Sequence, residues 1–133
     1  MAGETSLTTL LRSMSPQLNA GEYVFCTLRE NKLPEGLETV GSFREQEGLT
    51  VILERSHAEQ AGFSFDYVAA WITLNVHSAL QAVGLTAAFA TALGKAGISC
   101  NVIAGYYHDH LFVGQADAER AMQVLRDLAA NAE

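Results

Sequence analysis

The chain has 133 residues, 49% of them hydrophobic and 17% charged, with a mean hydropathy of +0.11. That suits one compact domain, or two small ones of roughly 65 residues sharing a core, and so high an apolar fraction excludes intrinsic disorder. A formal charge of −7 and a pI near 5.0 repel phosphate backbones and anionic headgroups, which argues against nucleic-acid and membrane partners.

The elements follow from local pattern. Leu7, Leu10, Leu11 and Met14 form one apolar stripe, predicting a helix over residues 6–14 with Ser6 as its cap and Ser15-Pro16 as its stop. The start of the chain carries Glu4 and one basic residue, Arg12, so no signal peptide is expected there, and no run approaches the roughly 18 apolar residues of a membrane span. Residues 23–28 are apolar on both faces and read as a central strand. A polar loop containing Pro34 follows. Residues 39–44 and 49–54, joined by Glu45-Gln46-Glu47-Gly48, carry a hairpin signal. Ser56 and Glu59 have capping-box spacing for a short helix ending at Gly62.

Residues 68–77 form the longest predicted strand. Ile72, Leu74 and Val76 share one face; Trp71, Thr73, Asn75 and His77 share the other. A helix over 85–96 has the stripe Leu85, Phe89, Ala92, Leu93 and Ala96, with Gly97 placed to close it and fold Ile98 back on Leu93. Residues 98–104 and 110–113 make a second hairpin around Gly105-Tyr106-Tyr107-His108-Asp109. Asp117 then caps a last helix whose buried stripe is Ala121, Val124, Leu125 and Leu128.

The order α-β-β-β-α, then β-α-β-β-α, predicts an α+β fold with antiparallel sheets covered by helices on one face. The halves are residues 1–66 and 67–133. The second has three strands where a split βαβ unit wants four, so the halves are expected to complete each other's sheets.

Chemistry has few places to sit. His108-Asp109-His110, with His77 as a further donor, could serve a small metal-dependent enzyme, but two histidines in an extended segment point to opposite faces. Ser78 beside His77 is not a triad, and Cys26 and Cys100 have no CxxC or CxxH neighbour and read as free thiols of a reducing cytoplasm. No phosphate-binding or dinucleotide glycine motif is present. The remaining candidate is the loop from His77 and Ser78 to Thr86, facing Ser99-Cys100-Asn101. Gly84 would let backbone approach a ligand, the first amides of the Leu85 helix would attract a carboxylate, and Asn101 would suit an ammonium. The alternative is an ordinary glycine loop with Asn101 on the sheet surface.

From Gly84 to Ile103 the run GLTAAFATALGKAGISCNVI resembles the ACT domain, the amino-acid-binding regulatory module of aspartate kinases. GEYVFCTL, FREQEGLTVILE and NVIAGYYHDHLFV are similar to a group of small bacterial stand-alone proteins built from two ACT-like halves. The resemblance implies two ferredoxin-like βαββαβ units, side-by-side pairing into a homodimer, and an amino-acid ligand at the junction of paired units. Carried over by position, its contacts fall on Val83, Gly84 and Leu85 and on Ser99, Cys100 and Asn101, with His77 and Ser78 a looser fit. Many relatives have Asn where Ser99 stands and an acid where Asn101 stands, so a neutral Asn101 weakens the case for a basic amino acid. The expected protein is non-catalytic, cytoplasmic, free of metal or cofactor, and regulates a separate enzyme through a small molecule. A ligand-free interaction module is the rival expectation.

Overall fold

The computed structural model describes residues 6–76 and 83–132. In order along the chain they form α1 (Leu7–Ser13), β1 (Ser15–Leu18), β2 (Tyr23–Leu28), β3 (Gly41–Arg44), β4 (Leu49–Glu54), α2 (Arg55–Ala61) and β5 (Val68–Asn75). Then come α3 (Leu85–Lys95), β6 (Cys100–Ala104), β7 (Asp109–Gly114), a short 3-10 turn and α4 (Ala118–Ala130). The chain divides into two compact units, one comprising the stretch up to Ala20 together with everything from Ala70 onward, the other Gly21–Ala69.

The first unit is a complete βαββαβ arrangement assembled out of chain order. Its elements are β5, α3, β6, β7 and α4, and its last strand is β1, supplied by the beginning of the chain. β1 runs antiparallel to β5, from Ser15 opposite Asn75 to Leu18 opposite Ile72. β7 flanks β5 on its other side, and β6 pairs antiparallel with β7, from Cys100 opposite Val113 to Ala104 opposite Asp109. The strand missing from the second half of the sequence is therefore β1. The pattern of residues 15–18 predicts only a helix stop, because Pro16 reads as a terminator. Pro16 is tolerated here because its strand lies at a sheet edge.

The alternation predicted for β5 holds: Ile72, Leu74 and Val76 are buried in the main core. They meet Leu10 and Met14 from α1 or its end, Leu85, Phe89 and Leu93 of α3, and Ala121, Met122 and Leu125 of α4. All three helices thus cover one face of the sheet. Gly97, with φ of +75°, closes α3 as its position predicts, and the Ile98 amide donates to the Leu93 carbonyl at 2.9 Å. Arg120 adds a charged cap at that helix end, donating to the Ala96 carbonyl at 2.9 Å.

The second unit has β2 between β4 and the first residues of β5, with β3 outside β4. Val24, Cys26, Leu49, Val51, Leu53 and Ala58 form its core. It lacks the helix a βαββαβ unit would have between β2 and β3; residues 29–40 cross that space as loop and turns.

Three predicted caps are not made. Ser6 and Asp117 stand at the cap positions of α1 and α4 without a side-chain cap bond, and Asp117 binds Arg120 at 3.0 Å instead. The Ser56–Glu59 capping box does not form, because β4 runs straight into α2 and the helix begins at Arg55. Ser56 sits inside the first turn and bonds Glu54.

Candidate functional site

Of the predicted site residues, Val83 and Gly84 precede α3, Leu85 opens it, Ser99 precedes β6, and Cys100 and Asn101 lie on β6. Gly84 occupies the N-cap of α3 with φ of +102°, a backbone conformation natural to glycine. Having no side chain, it leaves the first amides of α3 without the acceptor that Ser or Asp would bring. Val83, just before it, is 83% exposed. Leu85 is buried in the main core, and Cys100 packs half-buried against the same core. Ser99 and Asn101 are exposed, Asn101 standing on the edge strand β6 opposite Phe112. The fold brings Leu85 and Cys100 to one core, but it does not set the Gly84 loop facing residues 99–101 within one chain: Val83 is exposed before the first turn of α3 and Ser99 and Asn101 are exposed after its last, about 15 Å of helix apart. His77 and Ser78 lie outside the described residues.

The close approach that glycine permits is made by the chain itself. A Cβ on Gly84 would stand 3.1 Å from Leu7 Cδ2, so the first residue of α1 lies against this loop. Gly84 thus has a packing role whatever else it does.

The cysteines offer no activated nucleophile, since neither is disulfide-bonded and burial pushes both thiols above their ordinary pKa. The His108-Asp109-His110 segment is committed to the sheet. β7 is extended from Asp109, which puts His110 beside Trp71 and Thr73 of β5. Trp71 Nε1 lies 3.1 Å from His110 Nδ1, and Thr73 Oγ1 lies 3.2 Å from the same nitrogen. An indole N–H can only donate, so Nδ1 is an acceptor and the ring proton belongs on Nε2. Thr73 Oγ1 in turn accepts from Asn19 Nδ2 at 2.9 Å, leaving its own proton for His110. Burial, reinforced by His108 and opposed by Asp109, holds His110 below the ordinary histidine pKa, which keeps it neutral. With Nδ1 occupied, His110 is a structural acceptor. Among the described residues no group of three or more His, Cys, Asp or Glu side chains could hold a metal ion.

The alternation of β5 places Trp71 and Thr73 on one face, but nothing in the sequence pairs them with a histidine 37 or 39 residues away. That polar cluster is what sequence reasoning missed.

Comparison with known proteins decides the family. Residues 2–70 match one family model described as an ACT domain, and residues 67–127 match a second. The chain belongs to the ACT domain family. The two ACT matches follow chain order, whereas the structural units exchange the first twenty residues. A Vibrio cholerae protein of unknown function, described as a possible transport protein, is 53% identical with a TM-score of 0.82, over 96% of this chain and 99% of that one. The regulatory subunit of aspartate kinase from Thermus flavus shares the fold at 9% identity and a TM-score of 0.66, over 96% and 99% of the two chains. Aspartate kinase from Clostridium acetobutylicum, described as an allosteric enzyme, matches at 9% identity and a TM-score of 0.63, over 86% of this chain and 34% of that one. No curated protein matches. Among the described residues no helix is long and apolar enough to cross a membrane.

Proposed function

We propose that this ACT protein is a non-catalytic, cytoplasmic regulator that binds an amino acid as a homodimer and acts on a separate enzyme. The observation that carries the reading is the start of α3. Its leading amides, preceded by a glycine whose side chain cannot cap them, are donors for a carboxylate. The exposed amide of Asn101 on β6 and the hydroxyl of Ser99, beyond the other end of α3, are suited to the ammonium end of a zwitterion held between paired chains, one chain giving the α3 amides and its partner the β6 edge. Val83 and Leu85 flank the carboxylate position, and Cys100, His77 and Ser78 complete the proposed contact set. The aspartate kinase regulatory subunit and the allosteric kinase among the structural neighbours support a regulatory role. A ligand shifts a partner's activity only by preferring one arrangement of paired chains over another.

Thermal unfolding of the full chain against each of the twenty amino acids tests this. A ligand at 100 times its Kd adds about 2.7 kcal/mol of stability, and Asn101→Ala, a surface change, should weaken that gain while leaving the unliganded transition unmoved. If none of the twenty raises the transition, the result favours the ligand-free interaction module.

A further inference from the structure

We infer that the second unit carries a binding cleft for an organic cation, an ammonium or guanidinium on a short apolar stem. The cleft exists because this unit has no helix between β2 and β3. The loop that crosses there leaves an open cavity of about 550 Å³ against α2, within the roughly 300–1,000 Å³ range of small-molecule sites. Leu37 and Phe63 form its floor, both half-buried and packed against the core of the unit. Glu35 and Glu38 stand on the loop wall, His57 and Gln60 on the α2 wall.

The loop wall is shaped by a turn. The Leu37 amide donates to the Pro34 carbonyl at 3.2 Å and Gly36 has φ of +82°, the geometry of a type II turn with Glu35 at its corner. Proline fixes one side of that turn and glycine supplies the positive φ, so Leu37 is turned onto the floor while the flanking carboxylates stay at the rim. A ligand here meets an apolar base and an anionic edge, which fits an amphipathic cation.

Among the described residues no lysine or arginine forms an ion pair with Glu35 or Glu38. The lining contains no lysine or arginine. Arg55, on the same helix as His57, is engaged by Glu22 at 3.2 Å and Glu59 at 3.4 Å. The wider field points the same way: Gly21–Ala69 holds nine acidic and four basic side chains, a net of −5 against −7 for the whole chain. An anion would meet repulsion here and a zwitterion would gain less than a simple cation, so this cleft and the amino-acid seat at α3 favour different ligands.

Titration of the full chain with n-pentylammonium, followed by amide NMR shifts, tests the assignment, with pentan-1-ol and pentanoate as neutral and anionic probes of the same stem. Saturable shifts confined to residues 34–38 and 57–63 are expected with the ammonium. Binding should be at least tenfold weaker with the alcohol, absent with pentanoate, and weakened by added salt. Glu35→Gln/Glu38→Gln, at exposed positions, should lower ammonium affinity at least tenfold without moving the thermal transition. Equal binding of ammonium and alcohol, unchanged binding by the double variant, or shifts centred elsewhere would overturn the proposal. A capped peptide with one central lysine separates the two sources of this chemistry. Tighter peptide binding assigns the cleft to a partner's side chain, and tighter binding of the free amine assigns it to a metabolite.

Discussion

Trp71 donates its indole N–H to His110 Nδ1 across 3.1 Å, tying β5 to β7 on the sheet face opposite the helices. The rings lie 5.8 Å apart, and the indole also stacks on Phe112 at 6.2 Å. Because two donors converge on Nδ1, placing a proton there removes the acceptor and confronts N–H with N–H. His110 is held below its ordinary pKa by burial first, then by His108, with Asp109 opposing. A histidine whose folded value is depressed contributes stability that is complete above its unfolded pKa of about 6.5 and lost as pH falls below it. Stability should therefore decline on acidification from pH 7.5, and His110→Gln should flatten that decline. Trp71 is the one tryptophan of the chain, so its fluorescence should change over the same interval in the parent and not in the variant. An unaltered pH profile in His110→Gln would assign the titration to another group.

Asp109, the next residue along, predicts the opposite sign. Burial raises its carboxyl above the ordinary aspartate pKa, with His110 and His108 pulling it partly back. Its protonated form is the one favoured by folding, so that contribution is present below about pH 3.8 and disappears as pH rises through the folded value. At neutral pH the ionised group is a liability. Asp109→Asn should raise the thermal transition at pH 7, and the gain should shrink toward pH 4. A lower transition at pH 7 would show that the carboxylate makes a compensating contact.

The parts of the fold written in local pattern were legible, and those decided by distant partners were not. The stripe of α3, its closure at Gly97 and the alternation of β5 each rest on residues within a few positions of one another. β1 has no such signature. Ser15, Pro16, Gln17 and Leu18 are a strand only because β5 offers an edge and Asn19 bonds the Trp71 carbonyl through both backbone and side chain. The capping box at Ser56 failed because a strand without a separating loop sets where α2 starts. At the candidate seat, Gly84 and the start of α3 were readable; Leu7 lying against Gly84 was not, since 77 positions separate them. The cleft beside α2 follows from an absent helix, and the sequence showed there only a polar loop with one proline.

That the start of the chain belongs to the unit built from the other end has a mechanical consequence. Leu10 is fully buried in the same core as Phe89. Leu10→Ala should cost about 2–5 kcal/mol, as for other large-to-small changes in a packed core. The loss should appear in hydrogen exchange of the β5, β7 and α4 amides, as it should for Phe89→Ala. Loss of protection limited to α1 and β1 would mean that the opening segment is an appendage of the unit.

Gly84 and Leu7 give a sharper test because their contact can be removed from either side. Gly84→Ala places a side chain at φ of +102° and brings its Cβ to 3.1 Å from Leu7 Cδ2. The backbone strain costs about 1–3 kcal/mol and is independent of Leu7; the collision is not. Leu7 is 38% exposed, so Leu7→Ala should be mild, and in its presence the steric part of the Gly84→Ala penalty should vanish. A double-mutant cycle should therefore show coupling of at least about 0.5 kcal/mol, the range for residues in contact. Strict additivity would leave strain as the whole penalty, with Leu7 moving aside at no cost. The single Leu7→Ala variant also separates the packing role of this glycine from its proposed ligand role. It opens the space beside the α3 amides without touching them, so an amino acid seated there should bind at least as tightly as to the parent. Weaker binding would make Leu7 itself a wall of the seat.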